Sequence, residues 1–133
     1  MVDRPTSFLA DTDIFLDYLN GIERMRGLLD SPRNTVYYSA VTKKELLSKR
    51  GLSSTERHRI WLLLLKHRLI PVDLKIAERF SYLLKKYSRH GLRKADALVA
   101  ATAWSRNLPL PTRNTKHYRF ISEITLSDPL KER

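Results

Sequence analysis

Short β-prone segments alternate along this chain with stretches of helical periodicity, and that alternation restricts its fold more than any other feature. Ser7-Phe-Leu-Ala10 runs into Asp11-Thr-Asp13, after which Ile14, Phe15, Leu16, Tyr18 and Leu19 mark one helical face. Asn20-Gly21 closes that helix, and Ile22–Leu29 suggests a second short one before the turn-like Asp30-Ser-Pro-Arg-Asn34. Thr35-Val-Tyr-Tyr-Ser39 is β-branched and aromatic, and Thr42-Lys-Lys-Glu45 has the spacing of a capping box opening the next helix. Ser53 or Ser54 suits the cap of a helix through His67, Leu69–Val72 reads as a strand, and Leu74–Tyr87 as an amphipathic helix. Ala95–Trp104 is rich in strong helix formers. Leu108–Thr112 is a possible strand whose two prolines fit a central position poorly, and Phe120–Leu126 is a possible last one.

Parallel strands require crossover connections, and those crossovers are overwhelmingly right-handed. The expected fold is therefore α/β: a three-layer α/β/α sandwich around a central, mostly parallel sheet of four to five short strands. At 133 residues the chain suits a single domain, 1–133, with residues 127–133 as a surface tail.

The longest apolar run, Ile60–Leu65, is far short of the roughly 20 residues of a membrane-spanning helix. The start, Met-Val-Asp-Arg-Pro, lacks a basic region leading into an apolar stretch, so a secretory signal is not expected. With no cysteine, neither disulfides nor a thiolate zinc site can form, and a cytoplasmic location is the simplest expectation. Lysine and arginine number 25 against 14 acids, a net charge of +11, which makes nucleic acid the first candidate partner. Solubility, or an acidic protein partner, is the other explanation of the charge.

In parallel α/β sheets, functional groups gather at the carboxyl ends of the strands. Asp11 follows the first strand, where it is either a site acid or the cap of the next helix. Glu45 is either a site acid or the reciprocal cap of Thr42, and Asp96 either a site acid or a first-turn acid facing the helix dipole. The small helical neighbours of Asp96, Ala100 and Ala103, would leave room for something to approach. Asp13 and Asp17 read as first-turn and surface acids, and Asp73 as the ordinary cap of its helix.

Four segments in order, Leu9-Ala-Asp11-Thr-Asp-Ile-Phe-Leu16, Ser39-Ala-Val-Thr42-Lys-Lys-Glu45-Leu46, Asp96-Ala-Leu-Val-Ala-Ala-Thr102-Ala103 and Leu110-Pro-Thr112-Arg-Asn114-Thr-Lys-His117-Tyr118, span nearly the whole chain. Together they resemble a PIN domain, specifically the VapC-type toxin of a toxin–antitoxin pair. The resemblance implies that Asp11, Glu45 and Asp96 are the acidic metal-binding positions and Thr12 the hydroxyl residue beside the first. Asn114 falls where many relatives have a fourth acid, and His117 where others have Asp before an aromatic residue. Losing an acid there weakens the case for a second metal ion, although an Asn carbonyl still ligates a hard cation. His117 is then a substrate contact, a proton carrier or a basic surface residue. Thr112 either orients water or phosphate at the metal or is a strand-end hydroxyl bonding the next turn.

Two like charges ~4 Å apart cost about 4 kcal/mol at an effective dielectric of 20, so gathered carboxylates call for a cation. The oxygen-only ligand set implied by the resemblance favours Mg²⁺ or Mn²⁺. The reaction it implies is hydrolysis of RNA phosphodiesters by a water activated at that cation, giving 5′-phosphate and 3′-hydroxyl ends. Arg93, Lys94, Arg113, Lys116 and Arg119 flank the last two motifs and become candidate phosphate contacts; solvated surface charge is the alternative for each. The resemblance further implies a homodimer and a cognate antitoxin whose tail occupies the cleft. The apolar helices around Ile22–Leu29 and Ile60–Leu65 would offer a groove for either, or else a buried core face. Two other readings stay open: an RNA-processing nuclease of the same fold, and a non-catalytic RNA- or partner-binding module in which Asn114 marks a decayed site.

Overall fold

The computed structural model describes residues 6–127, so the expected tail lies, from residue 128 onward, outside the described residues. Three strands, β1 (Thr6–Leu9), β2 (Asn34–Ser39) and β3 (Arg68–Ile70), form a parallel sheet in that order. Phe8 lies opposite Val36, and Tyr38 opposite Leu69. Two shorter strands, β4 (Leu110–Pro111) and β5 (Leu126–Ser127), pair in parallel with each other. The sequence expectation of a strand over Phe120–Leu126 thus reduces to its last residue.

The chain entering β4 lies alongside β1, because the Leu9 N–H donates to the Pro109 carbonyl at 3.0 Å. The prolines explain why that contact stays so short. Leu110 and Thr112 donate their N–H groups toward β5, to Thr125 and Ser127, at 2.8 and 3.0 Å. Alternate residues of a strand face opposite neighbours, so Pro109 and Pro111 face β1, where neither has an N–H to give. A strand between two others therefore tolerates both prolines by using only a carbonyl on that side.

Helices cover both faces. Phe8, Ala10, Val36 and Tyr38 point to one core cluster, which they share with α1 (Thr12–Leu19), α2 (Glu23–Asp30), α3 (Ala40–Leu47) and α4 (Ser54–Leu65). Leu9, Ile70 and Leu110 point to the other, against α5 (Leu74–Lys86) and α6 (Lys94–Arg106). Side chains two apart share a face of a strand, so Phe8 and Leu9 feed opposite layers and the buried carboxyl-terminal end of β1 is apolar on both faces. The expected three-layer arrangement follows.

The caps are local. Asp73 accepts the Ile76 N–H at 2.8 Å, and Ser53 forms a full capping box with Glu56, which places His67 beyond the end of α4. Gly21 takes a positive φ of 81° in the turn after α1. Asn107 ends α6 in the left-handed region at φ 53°, donating back to Ala103 and Trp104 and turning the chain directly toward β4. On α6, Ala97, Ala100, Ala101 and Ala103 are fully buried. Their small size lets the helix pack closely on the sheet and α5, so Ala100 and Ala103 do not open the space beside Asp96 that the sequence suggested. Among the described residues, no helix is long and apolar enough to cross a membrane.

Candidate active site

β2 flanks β1 on one side and the β4 segment flanks it on the other, so the strand order reverses at β1. A crevice opens at the carboxyl ends of strands at such a point. Asp11 follows β1 and Thr112 follows β4, and the Thr112 hydroxyl donates to Asp11 Oδ2 at 3.1 Å.

Asp11 is 6% exposed and takes the helix-cap role read from its position. It caps α1, with Oδ1 accepting the Thr12 N–H at 2.8 Å, while Oδ2 accepts the hydroxyls of Thr112 and Tyr118, each at 3.1 Å. Burial, and secondarily the charge of Asp13, push its pKa up to about 6, against the pull of those three hydrogen bonds.

Asp96 lies in the first turn of α6 and is 8% exposed. Arg93 reaches both its oxygens, Nε at 3.1 Å and Nη2 at 3.4 Å, and His117 Nδ1 lies 3.4 Å from Oδ2. On its other side the Tyr118 hydroxyl, 3.3 Å from Oδ1, links Asp96 to Asp11. The phenol's pKa is driven far above its ordinary value by burial and by these two carboxylates, so it keeps its proton.

Glu45 does not cap α3. That helix starts at Ala40 with Ser39 as its cap, leaving Thr42 buried inside the helix rather than at its border. Glu45 is exposed and accepts the Thr12 hydroxyl at 2.6 Å, so it joins Asp11 through Thr12 and not by direct contact.

Asp13 is a first-turn acid as expected, but Asp17 is not a surface acid: the two are 9% and 8% exposed and anchor the segment after β4. Asp13 accepts the Arg113 backbone N–H at 2.7 Å, and burial raises its pKa despite that bond. Asp17 takes the Arg113 guanidinium through two oxygens, at 2.6 and 2.9 Å. Arg113, expected on phosphate, is thus held by a carboxylate pair of bonds. The spacing Asp13-x-x-x-Asp17 places both acids on one helical face and was the available signal for a shared task. Tyr118 was also missed as a site residue; its adjacency to His117 carried no hint that its hydroxyl would meet two acids.

Lys94, Lys116 and Arg119 are exposed and, among the described residues, form no salt bridge. Arg93 and His117 are exposed too, but are already engaged with Asp96 and with each other at 3.3 Å. Asn114 is exposed and donates its backbone N–H to Thr112 Oγ1 at 3.0 Å. A groove of about 550 Å³ runs from Thr12 and Glu45 over Leu16, Leu19, Leu52 and Ile60. Helix α4 divides its apolar residues: Ile60, Leu63 and Leu64 enter the core, while Trp61, Leu62 and Leu65 are exposed.

Among the described residues, no three acidic or histidine side chains stand together closely enough to enclose a metal ion. The donors that do converge, Asp11 and Asp96, are buried oxygens around one hydroxyl, with Glu45 one threonine away. All-oxygen donors of this kind fit a hard divalent cation.

The PIN domain family model matches residues 8–121. Ribonuclease VapC10 of Mycobacterium tuberculosis is 32% identical over 120 residues, covering 87% of this chain and 89% of that protein. A toxin–antitoxin complex from Klebsiella pneumoniae contains a chain 29% identical, with a TM-score of 0.74 over 92% of this chain and 97% of that one. VapBC2 from Rickettsia felis, solved bound to a DNA fragment from its promoter, shares the fold at a TM-score of 0.82 and 21% identity, covering 92% of this chain and 98% of that one.

Proposed function

The chain belongs to the PIN-domain family, and from that premise we propose that it is a Mg²⁺- or Mn²⁺-dependent endoribonuclease, the toxin of a toxin–antitoxin pair. What supports this reading most is the meeting of Asp11 and Asp96, two buried carboxylates far apart in the sequence, around one hydroxyl at the strand-order reversal. Its likeness to a VapC ribonuclease and to a chain of a toxin–antitoxin complex supports RNA as the substrate and an antitoxin as the partner. The reading takes residues 1–133 as one nuclease domain acting in the cytoplasm as a homodimer.

Asp11 and Asp96 would hold the cation, with Glu45 as the third acid. When bound, the cation supplies a nucleophilic water at neutral pH and stabilises charge on the phosphoryl oxygens. Thr112 orients Asp11 by donating to Oδ2, and Thr12 orients Glu45 in the same way. Arg93 and His117 flank Asp96 and can pass to a phosphate as it approaches; Lys94, Lys116 and Arg119 hold the backbone on either side. Asn114, exposed at the turn carrying His117, is assigned to the substrate side, whereas Arg113 stays with Asp17 and positions the loop. An antitoxin tail lying along the groove beside Glu45 would block access to these acids.

The test is cleavage of a labelled mixed RNA pool by the purified chain in Mg²⁺, Mn²⁺ or EDTA, beside Asp96→Asn prepared identically. Cutting that needs the cation and disappears in the variant is expected. Equal cutting by both preparations would indicate a contaminant and overturn the assignment. Salt-sensitive RNA binding without cutting by the wild type would replace it with a binding module.

A further inference from the structure

We propose that Tyr118 is a positioning residue of the cation site: its hydroxyl holds the Asp11 and Asp96 carboxylates together, so that little rearrangement remains when a divalent cation binds. The inference rests on the cation-dependent reading above. The ring is 1% exposed and packs in the cluster with Leu9, Leu110 and Ile121, so core packing fixes where the hydroxyl stands. From there it reaches Asp11 Oδ2 at 3.1 Å and Asp96 Oδ1 at 3.3 Å. Both distances exceed the roughly 2.5–2.7 Å of a hydroxyl bonded to a single carboxylate, as befits one proton shared between two acceptors.

Among the described residues, no other side chain hydrogen-bonds both acids. Thr112 bonds Asp11 and Asp13, while Arg93 and His117 bond Asp96. Without the hydroxyl, no hydrogen bond among the described residues would join the two buried carboxylates, and each could turn away from the other. Regathering them would then oppose cation binding. Each carboxylate offers about four lone-pair sites: Asp11 uses three and keeps one for the cation, while Asp96 regains its own when Arg93 and His117 pass to the phosphate.

The experiment is Mn²⁺ titration of the purified full chain, with free Mn²⁺ read by electron paramagnetic resonance, for the wild type, Tyr118→Phe and Tyr87→Phe. Phenylalanine keeps the buried ring, and Tyr87, whose hydroxyl bonds Ser122 and Glu123, controls for loss of a phenol elsewhere. Tyr118→Phe is expected to weaken Mn²⁺ binding about 10-fold or more, the usual effect of removing a hydrogen bond to a ligating carboxylate. Tyr87→Phe should bind as the wild type does. The metal-free melting temperature of Tyr118→Phe should fall modestly, because two buried carboxylates lose a hydrogen bond, its rise on adding Mn²⁺ should shrink, and RNA cutting should recover at higher Mn²⁺. Unchanged or tighter binding by Tyr118→Phe, with wild-type binding and cutting intact, overturns this inference alone. A wild type that neither binds Mn²⁺ nor cuts RNA overturns the cation-dependent reading with it.

Discussion

Asp11 shows how burying a helix-capping carboxylate costs stability. It caps α1, and with a pKa of about 6 in the fold against 3.8 as its ordinary value, the folded chain binds the proton more tightly than the unfolded one. Metal-free stability should therefore fall as pH rises from about 4 to about 6 and level off above. Asp11→Asn, which keeps a capping oxygen, should remove that loss. The variant is expected to be more stable than the metal-free wild type at pH 7.5 by up to about 3 kcal/mol, a margin that shrinks toward pH 4, while its RNA cutting is abolished. Urea denaturation at the two pH values checks this; a wild type as stable as the variant at pH 7.5 refutes it. Arg113 makes a complementary point. Its charge drew attention as a phosphate contact, but a cation beside a buried acid is taken by that acid first, and Asp17 holds it.

At the scale of elements, the caps that need only neighbouring residues were legible and the choice among competing ones was not. Ser53, one of the two serines the sequence offered, and Asp73 cap their helices, Ser53 through a box with Glu56, and Ser53→Ala is expected to lower stability by about 1 kcal/mol in chemical denaturation. A loss below a few tenths would mean that the box contributes nothing. The same pattern at Thr42-x-x-Glu45 misled, because β2 ends at Ser39 and the helix begins at once, so a preceding serine takes the cap and frees Glu45 for Thr12. β4 was legible only in part, since whether a proline blocks a strand depends on which neighbour its missing N–H would face. On α6 the small residues were read as room for a ligand, whereas they are the closest packed part of the second core cluster. Ala100→Leu there should cost about 1–3 kcal/mol through overpacking, measured as a drop in the denaturation midpoint.

For the whole molecule, alternation of strand and helix was enough to indicate the layered fold, because apolar residues on both strand faces require cover on both sides. The convergence of the site was another matter. No local pattern records that Tyr118 returns to meet Asp11 and Asp96, nor that the Arg113 segment docks on α1. The net charge of +11 acts at this scale too. RNA affinity should fall steeply with salt, and replacing Lys94, Lys116 and Arg119 together by Ala should reduce the slope of log K against log salt by about 2, with no change in base preference. An unchanged slope would move the binding face elsewhere. Asp11 is completed by Thr112 and Tyr118, contacts separated by 101 and 107 positions along the chain. At about 5–20 residues added per second, translation needs roughly 5–20 s between making the first acid and making the tyrosine that gathers it with the second. Throughout that interval the growing chain carries Asp11 without the hydroxyl that joins it to Asp96, so no nascent chain that stops short of Tyr118 holds the assembled pair.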